Sequence, residues 1–280
     1  MTLVMGAVAY DAKVVPIWTG FRAWLRDQGV DYDYVLYSNY ERQVDDLIAG
    51  HIHAAWNSPL AWLRARRLAE ARGVGVVPAV MRDTDRDLTS VIVVRADAGY
   101  ERLADLKGER VAVGAVDSPQ ATLIPLALLR GHGAAADGDV LRFDIGVGLH
   151  GDHIGGEREA ARALVAGEAA AACMIDANHL LFATEGILPP GTRVLASTDP
   201  YDHCVMAVRS DADSAAATRF VETLLAMDYA DPAVRPLMDL EGLTRWEPGR
   251  DTGFGQLDAA VDAAGFYDRA GAVTAAGYRP

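Results

Sequence analysis

The chain has 280 residues, more than one hydrophobic core usually organises, so its length predicts two lobes. Apolar residues make up 51% and charged residues 23%, ordinary globular proportions that leave no long segment too polar to fold. The formal net charge of -13 argues against non-specific binding to nucleic acid or to an anionic membrane surface, because the summed field repels phosphate.

Residues 2–9 read as a strand, followed by a loop at Tyr10-Asp11-Ala12 and an amphipathic helix over 13–28 that Gly29 stops. Alternation over 32–37 predicts a second strand. Asn39 is placed to cap a helix running to Ile48, and Gly50 to end it. A strand over 52–56 and a helix opened by Ser58-Pro59 and continuing through Leu68 follow. This rhythm predicts a largely parallel sheet with helices on both faces. The β-branched run 88–95 reads as a crossing into a second series: strand 110–114, a helix opening at Ser118-Pro119, strand 141–147, helix 157–165, strand 169–175 and a helix from Asp176. The run 204–209 reads as the return crossing, with helices over 212–227 and 232–240 packing back onto the first lobe. The expected lobes are therefore 1–90 plus 206–280, and 91–205. Ala134-Ala135-Ala136 reads as loop, Arg64-Ala65-Arg66-Arg67 as a solvated helix face, and the C-terminal tail carries no readable signal.

No run of about 18 apolar residues occurs, so no segment is expected to span a bilayer. The first ten residues show no basic leader, long apolar core or lipobox cysteine. A cytoplasmic location is expected on that basis, or a periplasmic or extracellular one if a signal has been removed. Cys173 and Cys204 each sit in an apolar strand-like run and are expected to be buried free thiols. The sequence contains no P-loop, no G-x-G-x-x-G after the first strand, no G-x-S-x-G and no H-E-x-x-H, so nucleotide, dinucleotide, serine-hydrolase and zincin chemistry lack their motifs. No cofactor is expected.

Ordered segments from about Val4 to Arg209 resemble the phosphonate- and phosphite-binding branch of the type II periplasmic binding proteins, which serve ABC transporters. They comprise the opening strand with its Tyr10 loop, Ser38-Asn39-Tyr40 before a helix, and GHIHAAWNSPL over 50–60 beside the family's G-x-x-D-x-A-W-x-G-P. They continue with LADLKGERVA over 103–112 beside L-x-D-L-K-G-K-x-V-A, DSPQAT over 117–122, LHGDH over 149–153, and 167–176 in place of G-x-V-D-A-A. The resemblance implies an α/β, two-lobed fold with mixed sheets, helices on both faces and a cleft between the lobes. It also implies ligand oxygens bound at a helix start, where this chain has Ser118, Gln120 and Thr122. Where the family reads S-T-S-G, Pro119 removes an N–H and Gln120-Ala121 replace a hydroxyl and a small residue, moving the expected ligand away from a tetrahedral phosphonate.

In such a fold the cleft is lined by loops at the carboxyl ends of strands. Tyr10, Asp11 and Lys13 offer an aromatic platform, a carboxylate and an ammonium, although Asp11 is equally placed to cap a helix. Tyr40 and the trio Trp56, Asn57 and Ser58 offer flat apolar walls, an amide and a hydroxyl, against the alternative that Trp56 is core and Ser58 a cap. His51, His53 and His132 read as surface residues. His150, His153, His179 and His203 fall in second-lobe loops or helix starts beside Asp152, Asp176, Asp199 and Asp202. Three readings stay open for them: a hydrogen-bonded rim, imidazoliums contacting an anion, or an acid/base or metal site. His150-x-x-His153 is no recognised metal signature, and no metal is expected.

Two functions follow. The first is an ABC-transporter-type solute-binding protein whose lobes close on a small anionic or strongly polar ligand, hinging near Val91 and Val205, with a transporter permease as partner if the chain is exported. The alternative is a cytosolic enzyme on the same fold, of lyase, decarboxylase or hydrolase type, using His150, His153, His203, Asp176 or Asp202 as acid/base groups or metal ligands; the resemblance extends to such enzymes in menaquinone and pyrimidine biosynthesis. Neither reading involves nucleic acid or membrane insertion.

Overall fold

Strand β1 (Leu3–Val8) is almost wholly buried, as a strand covered on both faces must be. It pairs in parallel with β2 (Tyr32–Tyr37) and β3 (Ala54–Asn57). The computed structural model describes residues 2–134, 140–212 and 214–280. Helices α1 (Val14–Asp27), α2 (Tyr40–Ala49) and α3 (Pro59–Arg72) connect these strands where the sequence places them. Asn39 Oδ1 accepts from the Arg42 amide and Ser58 Oγ from the Ala61 amide, each satisfying a backbone donor at its helix start.

The largely parallel expectation fails beyond β3. Strand β4 (Val76–Arg82) was not anticipated, because Pro78 and the exposed Val77 disguise it as loop. The return strand β10 (Val205–Arg209) inserts between β3 and β4 antiparallel to both, and β11 (Trp246–Pro248) adds antiparallel to β4. The first sheet thus runs β11-β4-β10-β3-β1-β2.

The second sheet, β7-β6-β8-β5-β9, is also mixed. It contains β5 (Ser90–Arg95), β6 (Val111–Val113), β7 (Val140–Arg142), β8 (Ala171–Ile175) and β9 (Thr192–Ser197), with β5 antiparallel to both neighbours. Helices α4 (Ile124–Gly131), α5 (Gly155–Ala166) and α6 (Asp176–Thr184) belong to this half. The helices expected over 212–227 and 232–240 are the shorter α7 (Ser214–Leu225) and α8 (Arg235–Glu241). Both faces of each sheet are covered by a buried apolar cluster, so the architecture is two-lobed α/β with mixed sheets.

Three local expectations change. The strand placed over 141–147 ends at Arg142: Asp144 Oδ1 accepts from the Val116 amide, and Gly146, Gly148, His150 and Gly151 all adopt positive φ, so residues 143–153 form a loop. Ala134, expected in a loose loop, is buried; Ala135 and Ala136 lie outside the described residues. The basic run on α3 is not a solvated face. Arg64 and Arg67 are each only 8% exposed. Arg64 donates to the carbonyls of Glu41 and Gly271, and Arg67 to the carbonyls of Tyr267 and Asp268 and to the carboxylates of Asp258 and Asp262. These arginines fasten α9 (Gly255–Ala264) and the tail onto α3. A fifth apolar cluster, with Leu60, Leu63, Ile124, Tyr201, Phe266 and Tyr278, joins the two halves.

Candidate ligand cleft

The strand ends named from sequence meet loops from both sheets. From the first come Tyr10, Tyr40, Trp56-Asn57-Ser58, Arg82 and His203-Cys204; from the second come the segment 117–122 and the loop 148–152. Tyr40 joins the halves directly. Its hydroxyl donates to Asp152, and its ring stacks on His150 with centroids 4.7 Å apart and planes 14° from parallel.

His150 has no solvent exposure. Its Nδ1 lies 2.8 Å from Ser58 Oγ, and its Nε2 lies 3.1 Å from both Glu41 Oε1 and the Tyr278 hydroxyl. Tyr278 and Tyr267 also donate to Glu41 Oε1, at 2.9 and 3.1 Å. Asp117 Oδ2 anchors the loop by accepting from the Gly148 and His150 amides at 2.7 and 3.0 Å, and Gln120 Nε2 donates to the Gly151 carbonyl at 2.7 Å. A Cβ at Gly151 would meet Gln120 Nε2 at 2.6 Å, and its φ is +80°, so only glycine fits there. Burial alone would lower the imidazole pKa, but the Glu41 carboxylate, its hydrogen bond and the Asp117 and Asp152 charges hold it above the usual histidine value. Burial likewise disfavours the Glu41 carboxylate, yet His150 and Tyr278 bring it below the usual carboxylate range. Asp152 is pushed upward by burial, against the pull of His203, Tyr40 and Arg82.

On the first-sheet side, Arg82 Nε and Nη2 donate to Asp85 at 2.5 and 2.9 Å, Nη1 donates to the Glu241 carbonyl at 2.8 Å, and the guanidinium lies 5.3 Å from the Trp56 ring centroid. Burial is outweighed at Asp85 by Arg82 and His203, taking its carboxyl to about 2, whereas at Glu241 burial wins and the carboxyl rises to about 7. His203 Nδ1 sits 3.2 Å from Cys204 Sγ and 3.5 Å from Asp85 Oδ1. Asp85, His203 and Cys204 bring ligand-type atoms within 4.8 Å of one another, but both Asp85 oxygens already serve Arg82, which makes the trio a poor cation site. Buried atoms here that lack a protein partner include His203 Nε2, Asn57 Nδ2, Gln43 Oε1 and Trp246 Nε1. Val205, two residues after His203, pairs with Asn57, whose Oδ1 accepts from Gln43 Nε2.

Of the residues singled out from sequence, the structure gathers Tyr40, Trp56, Asn57, Ser58, Gln120, His150 and His203, with Tyr10 close enough to Asp152, Glu241 and Arg82 to feel their charges. Others have separate positions. Asp11 is exposed and accepts from the Lys13 amide; Lys13 is exposed with its ammonium 5.6 Å from the Tyr10 ring centroid. Ser118 Oγ caps its own turn at the Ala121 amide. Thr122 lines a groove with Leu126 and Phe266, towards α9. His153 is exposed and accepts from the Gly155 amide; Asp176 accepts from Ala177 and Thr89; His179 is partly buried on α6, its pKa lowered by burial. Asp202 is buried and holds Arg250 at 2.6 Å through both oxygens. The cysteines are buried free thiols, as expected.

Sequence reading passed over Glu41, Arg82, Asp85, Asp117, Glu241 and Tyr278. Only Arg82 carried a local signal, as the end of a strand, and that strand was missed. The acid/base alternative also loses its geometry. Among the described residues no hydrogen bond joins any two of His150, His153, His203, Asp176 and Asp202, and His150 and Asp202 are committed to structural partners.

Two mixed sheets with their strand-end loops facing one another define a type II periplasmic-binding-protein fold. A family profile described as "ABC transporter, phosphonate, periplasmic substrate-binding protein" matches residues 6–254, and the chain belongs to that family. Solved structures agree on the fold. PhnD1 of Prochlorococcus marinus in complex with methylphosphonate shares 16% identity with a TM-score of 0.69, covering 94% of this chain and 97% of that one. A chloride-bound protein of Xanthomonas citri shares 20% at 0.69, covering 94% and 98%. The periplasmic aliphatic sulphonate binding protein SsuA of Escherichia coli shares 16% at 0.56, covering 94% and 86%. No curated protein sequence matches the chain. No helix among the described residues is long and apolar enough to cross a membrane. The family is periplasmic, which favours the exported alternative over the cytoplasmic expectation.

Proposed function

We propose that the protein works outside the cytoplasmic membrane as the solute-binding subunit of an ABC importer and delivers a small oxyanion-bearing or strongly polar solute to a membrane permease. The ligand sits between Tyr10, Tyr40, Trp56 and Asn57 on one side and Gln120 and the loop bearing Asp152 on the other, with His203 at the return crossing. One lobe comprises 1–90 and 206–280, the other 91–205, and rotation occurs near Val91 and Val205.

The observation that carries this reading is the pair of unpartnered buried groups, His203 Nε2 and Asn57 Nδ2, one just before β10 and the other at the end of its neighbour β3, in a substrate-binding fold. A buried polar atom without a partner costs about 1–3 kcal/mol, so a ligand that supplies both partners recovers enough to select for matching acceptors. Related proteins solved with methylphosphonate or named for sulphonate binding support an oxyanion.

Isothermal titration with methylphosphonate, phosphite, phosphate and short alkyl sulfonates tests it, alongside native mass spectrometry of freshly purified protein. Saturable one-to-one binding of one class, weakened at least tenfold by Asn57→Ala, is expected. If no panel member binds and no small molecule co-purifies, or if the bound molecule is chemically changed, the reading fails.

A further inference from the structure

We propose that lobe closure is proton-linked: His150, carried by the 143–153 loop of one lobe, docks as an imidazolium against Glu41 of the other, and the C-terminal tail supplies Tyr278 to lock the pair. This rests on the lobe-closing reading above and adds its regulation.

Every side-chain partner of His150 comes from outside its own loop and sheet. Ser58 stands at the end of β3, Glu41 in the first turn of α2, and Tyr278 in the tail, while the ring lies flat on Tyr40. If the lobes part, all these contacts break together. With both ring nitrogens protonated, Nδ1–H serves Ser58 Oγ and Nε2–H serves Glu41; in the neutral Nε2–H tautomer the Ser58 hydroxyl donates to Nδ1 instead, so both contacts persist and deprotonation removes only the positive charge beside Glu41.

The surroundings favour the cation. The facing ionisable groups are Glu41 and Tyr40 from α2, Asp117 and Asp152 from the same half as the loop, Arg64 from α3, and Tyr267 and Tyr278 from the C-terminal segment. Three are carboxyls and one is a fixed cation. Arg64 donates to the Glu41 backbone carbonyl and to Asp45, not to the Glu41 carboxylate. His150 therefore supplies positive charge beside the buried Glu41 carboxylate, which also accepts from the Tyr267 and Tyr278 hydroxyls.

The tail belongs to the lock. It lies beyond the residues the family profile matches, yet Arg64 and Arg67 pin it to α3, and a side chain at Gly148 would meet Pro280 at 3.5 Å. Tyr278 thus touches both sides of the closed pair.

The sign follows from the direction of the shift. His150 has a raised pKa when buried beside Glu41 and an ordinary one, about 6.5, when the lobes part and it is hydrated. Below the ordinary value both states hold the proton and closure is fully favoured. Between the ordinary and raised values closing takes up a proton, so the closed-to-open ratio falls about tenfold per pH unit, levelling off above the raised value.

The test combines small-angle scattering of the full chain across this pH range with an NMR titration of the His150 ring, in wild type, Glu41→Gln and Tyr278→Phe. Wild-type His150 is expected to titrate above the ordinary value while the radius of gyration grows through the same pH. Glu41→Gln should bring the ring to or below the ordinary value and abolish the pH-dependent expansion. Tyr278→Phe, which keeps its ring against Phe266, should lower the midpoint by less. An ordinary or depressed wild-type pKa overturns the proposal, as does a midpoint indifferent to Glu41→Gln or, if that variant does not fold, to Tyr278→Phe. Saturating methylphosphonate at fixed pH separates the two ideas. Compaction by ligand without expansion by pH ends the proton link alone, whereas a radius unmoved by either ends the lobe-closing reading as well.

Discussion

Replacing Asp85 by Asn tests whether charge holds Arg82 in the cleft. Asp85 is 2% exposed and receives two guanidinium hydrogen bonds. Its carboxyl falls from 3.8 to about 2, a differential interaction of roughly 2 kcal/mol. Removing one partner of a buried pair costs about 3–5 kcal/mol because the other charge is stranded. Here Glu241 offsets part of that cost: relieved of Asp85, its carboxyl, now near 7, ionises more readily beside Arg82. The expected loss is therefore about 2–4 kcal/mol, read as a shift in urea midpoint, or a fall of roughly 4–8 °C in Tm at about 2 °C per kcal/mol for a chain of this size. A depressed carboxylate contributes its stability above the unfolded value and loses it as pH falls through about 2. The Asp85 share of the difference between wild type and variant should thus shrink only in acid, while the readier ionisation of Glu241 in the variant narrows the difference further as pH rises towards 7. The double variant Arg82→Met/Asp85→Leu should recover most of the loss, since apolar replacements of a buried pair are often neutral. A single-variant cost below about 1 kcal/mol, or a double variant as damaged as the sum of both changes, refutes the reasoning.

Three further outcomes follow from the same geometry. Burial lifts Glu157 to about 7 despite bonds from Asn178, the Ile175 amide and Gln120; the unfolded chain then releases this proton first, so wild-type stability declines from about pH 4.5 to about pH 7. Glu157→Gln should be nearly neutral at the acid end and gain about 1–3 kcal/mol over wild type at pH 8, and equal urea midpoint shifts at both pH values would contradict this. Arg67→Ala strips four acceptors of their donor and should cost about 2–4 kcal/mol; limited proteolysis should then cut within 265–280 before any other site. At Gly253 a Cβ would lie 2.1 Å from the Asp202 carboxylate, so Gly253→Ala should displace the Arg250 pair and lower stability by about 1–3 kcal/mol, measured by thermal unfolding.

The sequence exposes what is local. Residues 2–72 were legible because each element carries its own stop signals: Asn39 and Ser58 cap, and Gly50 and Gly73 end their helices in the left-handed conformation. Strand order was not legible, since the antiparallel insertion of β10 between β3 and β4 depends on where a chain returning from the other half can enter. β4 hid behind Pro78, and the three-residue β11 is too short to alternate. The site divides in the same way. Tyr40, Asn57 and Gln120 were named because they end strands or start helices, whereas His203 was assigned to the second lobe and instead leads into β10 of the first sheet. Glu41 was passed over because it sits one residue inside a helix start, and its partner Tyr278 lies 237 residues away. His150 was named for the right region, but its imidazole is satisfied by protein groups, a distinction that only three-dimensional burial decides.

That satisfaction bears on how such a protein binds anything at all. Glu41 holds His150, Asp85 holds Arg82, and Asp202 holds Arg250. If the His150–Glu41 pair delivered its full Coulombic attraction, the closure proposed above would not need a ligand, and a ligand would gain little by it. Burying such charges costs about as much as their pairing returns. The His150 pair joins the 143–153 loop to α2, so in the proposed closure it is the contact that sets the register. On that proposal, a proton on His150, or partners for His203 Nε2 and Asn57 Nδ2, shifts the ratio of states only by its differential affinity for them. The cost of the buried donors left unpartnered opposes the proposed closure until a ligand supplies acceptors.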